Sequence, residues 1–458
     1  MSAVDFIHGL RFEELPAAII AQAKRCVLDL LGVAASGLET DLSRIVRDHA
    51  VRHMGAGEGR GARILLDGRR ASPPGAAYAG ASTIDAFDAH DGHPLTKGHA
   101  GVAVLPAVLA LFDGEGLSDG REFLAALVVG YEVAIRAGIA LHGSVPDYHT
   151  SGAWNALGCA AAGARLLGLG HDATRHALGI AEYHGPRSQM MRCIDHPTML
   201  KDGSGWGAFA GLSAAYLARD GFTGAPAITV EAPEQSGLWS DLGRRWRILE
   251  LYFKPLPVCR WAQPAIEAAL ALVRAGGIDL HRIAAVEVET FDAAVRLGIR
   301  APAATEEAQY ALGFPLAAAL ARGRLEAGEI TGAGLRDRRT LRLLSRIRLA
   351  ERADFTRRFP AERVAAVKIT LEDGTVLASG PTVARGDAEA PLEDGELRAK
   401  FASLASALPE GVCAALELAV EHLEDGDTLD ASFFPRVLTS WSASKRWRMP
   451  KRAMATEA

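Results

Sequence analysis

The chain has 458 residues, enough for two or three domains, and 49% hydrophobic with 23% charged residues leaves core burial unconstrained. Lys and Arg total 50 against 55 Asp and Glu, a net charge of −5, which lacks the basic excess of a nucleic-acid binder. The longest apolar run, 101–112, contains Pro106 and is too short for a bilayer span. Near the N-terminus, Asp5, Glu13 and Glu14 replace the basic and apolar regions of a signal peptide. The five cysteines are odd in number, far apart and without a CxxC, so neither a disulfide framework nor a thiolate zinc site is indicated. Together these predict a soluble, reduced, cytoplasmic protein with no membrane or nucleic-acid partner.

Pro16 suits a helix start, and Ile19, Ala23, Val27 and Leu30 recur at helical spacing after it. Further helical segments follow at 41–54, 118–142, 150–167, 172–184 and 204–219, rich in Ala and mostly closed by Gly. Such helices are too apolar to stand alone and predict one large bundle. Near 280 the period changes to two: Val286, Val288 and Thr290 alternate with Glu287 and Glu289. Val367, Ile369 and Leu371, then Asp373-Gly374 and Val376, read as a hairpin. Helical stretches at 312–322 and 332–345 lie between, and the pattern is helical again from Leu392 to about 423. The expected architecture is mainly α: an all-helical domain of residues 1–270 plus 392–458, with an α+β lid domain of 271–391 inserted. The tail from Trp441 is basic and reads as a frayed end.

No GxGxxG, Walker A or HExxH motif is present. The single GxSxG, at 116–120, follows a polar turn rather than a strand, so Ser118 or Asp119 is expected to cap a helix. Chemistry concentrates in four clusters at helix ends. The first holds Asp85, Asp88, His90, Asp91, His93, Lys97 and His99. A solvated loop, a metal site and metal-free acid/base chemistry all fit that composition. The second is Tyr148-His149-Thr150-Ser151-Gly152, with His149 at a helix start. In the third, Lys201 precedes a helix, where a cation opposes the dipole unless a carboxylate ligand pairs with it. The fourth runs from Lys254-Pro255 through Cys259 and Arg260 to Gln263-Pro264; Cys259 reads as a small buried residue. Cationic groups beside histidines suit a polycarboxylate, held by its charges while a His moves a proton alpha to one of them.

These stretches resemble the MmgE/PrpD family over nearly the whole chain. The carrying features are the Asp-rich segment ending in His99-Ala100-Gly101, His149-Thr150-Ser151-Gly152, Lys201 with the Gly221-Phe222-Thr223-Gly224 turn, Lys254-Pro255 through Arg260, and the return at Gly386-Asp387. The resemblance implies a homodimer with its active site between the two domains and no metal or organic cofactor. It implies His99 and His149 as proton carriers, Asp91 to orient them or exchange protons, and Lys201 and Lys254 to bind carboxylates, with Arg260, Gln263, Thr150 and His90 also around the substrate. The family's paired Asp is His90-Asp91 here, which leaves Asp88 and Asp91 as alternative matches. Gln263 stands where many members have His, and Phe314 where they have an aromatic hydroxyl. The implied activity is a lyase, a dehydratase or decarboxylase, on a small di- or tricarboxylic acid. An epimerase of a similar acid and a non-catalytic homologue are the alternatives.

Overall fold

The computed structural model describes residues 1–276, 279–409, 411–425, 429 and 433–439; the basic tail from Trp441 lies outside them. Helices of ten or more residues among them are α1 (Ala17–Gly37), α2 (Asp41–His53), α3 (Pro73–Asp85), α4 (Gly101–Glu115), α5 (Gly120–Ser144), α6 (Gly152–Leu166), α7 (His171–His184), α8 (Ser204–Arg219), α9 (Gln263–Gly276), α10 (Gly313–Arg322), α11 (Asp394–Leu404) and α12 (Val412–Glu421).

The glycines and alanines decide how closely these helices approach. Helix α6 is buried from Gly152 through Ala164 and packs against α5, α7 and α8. A methyl group added at Gly158 would lie 2.4 Å from the Gly130 carbonyl oxygen of α5, and one at Gly211 of α8 would lie 2.3 Å from the Ala156 carbonyl oxygen. At native packing density such contacts admit no side chain. Helix α5 is long and apolar enough to cross a bilayer by composition, but its apolar window is 94% buried inside the molecule. It also carries the buried Glu132–Arg136 ion pair (2.5 Å). The GxSxG stretch is a helix junction: Gly116 closes α4 in the left-handed region, and the Asp119 carboxylate accepts from the Arg121 and Glu122 amides at the start of α5.

Two short strands, β1 (Ala62–Arg63) and β2 (Arg70–Ala71), form a ribbon within the helical part. The larger sheet contains β3 (Ile283–Thr290), β4 (Ile347–Glu351), β5 (Val364–Leu371), β6 (Val376–Ala378) and β7 (Thr382–Val383). Its order is β4-β3-β5-β6, with β7 also paired to β5. Along β3, Val286, Val288 and Thr290 face inward while Glu287 and Glu289 face outward, the alternation written in the sequence. The Asp373-Gly374 turn closes the β5–β6 hairpin, with Gly374 at φ +87°. The pairing of β3 with β4 is parallel, through a crossover that includes α10. Sequence periodicity did not mark β4. The helix expected at 332–345 is a 3-10 turn (Gly332–Arg336) and a short helix (Arg338–Leu344), divided where the Asp337 carboxylate accepts from the Thr340 amide. The continuous stretch expected from 392 to 423 is two helices, α11 and α12, separated across Pro409 and Gly411.

After the sheet the chain returns to the helical part. Helices α11 and α12 pack on α1. Phe433 and Phe434 stack edge-on to Phe123 and Phe112 (5.6 and 6.3 Å between ring centres). The result is a mainly α fold with a smaller α+β unit.

Candidate active site

The segment 86–100 links α3 to α4; Asp85 at the end of α3 and Asp88, His90, Asp91, His93 and His99 within the segment are all buried. Its path is fixed by backbone pairing: Gly92 exchanges hydrogen bonds with Tyr252 (3.0 and 2.8 Å), and the His93 amide donates to the Gly98 carbonyl (2.9 Å). A Cβ at Gly92 would lie 2.4 Å from the Tyr252 hydroxyl oxygen and 2.9 Å from His99 Nδ1, so only glycine fits.

His99 is oriented from two sides. Its Nδ1–H donates to the Asp91 carbonyl (2.5 Å), and its backbone amide donates to Ser151 Oγ (2.9 Å). A carbonyl can only accept, so Nδ1 carries the proton and Nε2 is the free base. Nε2 stands 4.0 Å from the Asp202 carboxylate, which itself accepts a short hydrogen bond from the Ser151 hydroxyl.

In front of His99 is a cavity of about 20 Å³, lined in part by Asp88, Tyr252, Lys254, Tyr310 and Arg363. That volume holds about one water. Lys254 Nζ donates to Asp88 Oδ1 (2.5 Å), and both groups are buried. Lys201 Nζ donates to Gln309 Oε1 (2.7 Å) and lies over the Tyr310 ring (4.5 Å from its centre). The helical part and the α+β unit thus each supply walls. Lys201 and Lys97 have φ of +49° and +50°, two of three non-glycine residues in the left-handed region among the described residues. Such strain is kept where the surroundings over-determine it, commonly at functional sites.

Burial governs the protonation states. It would raise the Asp88 carboxyl, but the ammonium groups of Lys254 and Lys201 outweigh it and hold Asp88 well below the usual range. Burial, with the neighbouring His90 and Lys254, pushes His99 well below its ordinary value, so it rests neutral. Burial raises Asp85 to about 6, and burial together with Asp85 raises Asp202 to about 7. A neutral base therefore faces carboxyls able to store a proton, the combination that general acid/base chemistry requires.

Several expected site residues stand elsewhere. Asp91 turns its carboxyl away from the cavity to accept from the Tyr131 hydroxyl (2.5 Å), and burial raises it to about 7; it orients His99 through its backbone carbonyl only. Asp88 is the aspartate of the cavity. His149 is half-buried and stacks on His142, outside the cavity lining. Thr150 faces the Pro186 carbonyl. Gln263 spends its amide on the Leu256 and Val258 carbonyls (3.0 and 2.9 Å), bracing the loop before α9. Arg260 reaches the cavity edge but binds Asp387 (2.7 Å) and the Ala384 and Arg385 carbonyls, fastening the returning chain. His90 lies behind His99, with ring centres 4.1 Å apart, and not on the cavity wall. Burial pushes the Cys259 thiol up to about 12, as befits an inert packing residue.

Tyr310, Gln309, Tyr252 and Arg363 carried no sequence signal, because they sit in stretches without a recognisable polar motif. Tyr310, four positions before the fully buried Phe314, lines the cavity together with Tyr148 and Tyr252. One atom each from Asp88, His90 and His99 forms a triad within 4.8 Å. The Lys254 ammonium occupies Asp88 where a metal ion would bind, and like charge opposes that ion.

The profile of the MmgE/PrpD N-terminal domain matches residues 2–238, and that of the MmgE/PrpD C-terminal domain matches 256–425. The chain belongs to the MmgE/PrpD family. Among curated relatives, it is 26% identical to the cis-aconitate decarboxylase of Mus musculus over 475 aligned positions, 95% of this chain and 92% of that protein. It is 31% identical to the Homo sapiens cis-aconitate decarboxylase (48% of this chain, 45% of that protein). It is 28% identical to the cis-aconitate decarboxylase-like protein oryM of Aspergillus oryzae (48% and 46%). The chain thus aligns with about half the length of these last two and with nearly all of the mouse protein.

Proposed function

We propose that the protein is a lyase that removes CO2 from a small unsaturated di- or tricarboxylate, with His99 as the group that exchanges a proton with the substrate carbon. The observation that carries this reading is the His99 geometry: Nδ1 fixed on the Asp91 carbonyl, with Nε2 free beside a carboxyl raised by burial and next to cationic side chains. The full-length likeness to a cis-aconitate decarboxylase supports decarboxylation over dehydration.

In this reading Lys254 and Arg363 hold substrate carboxylates, Lys254 exchanging Asp88 for the ligand. As the C–CO2 bond breaks, its electron pair passes into the conjugated acid, where the lysine charge stabilises it. The proton that completes the product comes from the His99–Asp202 pair. An epimerase needs proton carriers on both faces of one carbon. His99 is the one imidazole lining this cavity as it stands among the described residues. His149 joins the chemistry only if the cavity widens to admit substrate. The test is product analysis with cis-aconitate and related acids: release of CO2 supports the reading, and release of water or inversion of a centre without mass change would replace it.

A further inference from the structure

A second opening reaches the cluster from behind. A groove of about 100 Å³ is lined in part by Val46, Tyr78, Ser82, Asp85, Lys201 and Trp206, and it shares no lining residue with the front cavity. Asp85 forms part of its floor, and Asp85 Oδ1 is buried without a hydrogen-bond partner. Between Asp85 and the front cavity stands His90, completely buried, with neither ring nitrogen hydrogen-bonded. Its Nε2 lies 3.6 Å from Asp85 Oδ1 and 3.8 Å from Asp88 Oδ1, and its ring crosses that of His99 nearly edge-on (73°).

An imidazole buried with two idle nitrogens is unfavourable and asks for a reason. Spacings of 3.6–3.8 Å are a little beyond hydrogen-bond length and close with a small ring movement or one bridging water. Decarboxylation consumes one proton from solvent for each CO2 released, because the electron pair left on carbon must be protonated.

The geometry points to a proton relay from the rear groove through Asp85 and His90 to the His99–Asp202 pair. A solvent proton is taken up by the Asp85 carboxyl and passes from Oδ1 to His90 Nε2; the imidazolium then gives a proton from a ring nitrogen to His99, with Asp88, His90 and His99 each presenting one atom within 4.8 Å of the others. His99 then regains the proton it gave to the product carbon. The relay moves protons only; no electrons change hands. His90 is a positioning residue that acts through His99. This inference rests on the decarboxylase reading above.

The test is His90→Gln, which keeps the volume and removes the relay, beside His90→Gly, which leaves room for added imidazoles of graded basicity. Binding of an unreactive tricarboxylate should stay within about twofold of wild type, while kcat falls at least about tenfold. The solvent deuterium effect on kcat should rise, and in His90→Gly added imidazoles should restore turnover in order of their basicity. Asp85→Asn should lose kcat the same way, and it decides the matter if His90→Gln does not fold. A His90→Gln enzyme with wild-type kcat, or a His90→Gly loss that imidazoles do not restore, overturns the relay alone. A wild-type protein inert toward every polycarboxylate overturns the relay and the decarboxylase reading together.

Discussion

His99 shows how one side chain acquires a role from its neighbours. The Asp91 carbonyl sets its tautomer, that carbonyl and the Ser151 hydroxyl set its direction, and burial keeps it neutral. His99→Gln should therefore lower kcat by about 10²–10⁴ with an unchanged melting temperature, measured by steady-state kinetics and calorimetry. Asp91 makes the opposite prediction. Its carboxyl is raised from 3.8 to about 7 on folding, so its favourable contribution is complete below pH 3.8 and is lost as pH rises through 7. Asp91→Asn, which can still accept from Tyr131, should leave the melting temperature unchanged near pH 4. It should raise it by a few degrees at pH 8; a variant less stable at pH 8 would contradict this. The difference between Asp88 and Asp91 was not legible in the sequence. Both are polar residues in one irregular stretch, and their directions are set by Lys254 and Tyr131, which are distant in sequence.

Elements far apart in the chain hold the 86–100 segment. Lys400 on α11 donates to Asp29 of α1 (2.5 Å) and to the Ala89 carbonyl (2.7 Å), so the returning C-terminal helix props the 86–100 segment from below. Removing one partner of a buried ion pair leaves an uncompensated charge. Lys400→Met should destabilise the fold by about 3–5 kcal/mol in denaturant titration, an effect that pairing it with Asp29→Leu should largely reverse. Gly92→Ala should act locally, displacing Tyr252 or His99, with lost turnover in a chain that still unfolds cooperatively. Most long helices were readable from apolar period and closing glycines, because α6 and its neighbours pack through small residues that leave a compositional trace. Strand β4 was not, since Ile347 alone among its residues is buried and no alternation survives in its sequence.

At the scale of the whole molecule, the front cavity draws walls from both parts of the chain, with His99 and Asp88 from the helical part and Tyr310 and Arg363 from the α+β unit. About 20 Å³ cannot hold a tricarboxylate, so on the proposed function the cavity widens when substrate enters. A bound tricarboxylate should slow amide hydrogen exchange in 86–100 and 305–312 together; protection of one segment alone would argue against a shared site. The four polar clusters were visible in the sequence because their charged residues are dense. Which of them share one cavity depends on how the α+β unit closes over the helical part, and that packing is not written in any local pattern.

The central claim is that His99 exchanges a proton with a polycarboxylate that loses CO2. The most direct measurement is incubation of the purified protein with cis-aconitate in D2O, with CO2 release and product deuteration followed by mass spectrometry, alongside His99→Gln. The account predicts one CO2 released and one deuterium gained at carbon per turnover by the wild-type protein, and neither with the variant. Equal product from both proteins, or a wild-type product that keeps its CO2, would contradict it.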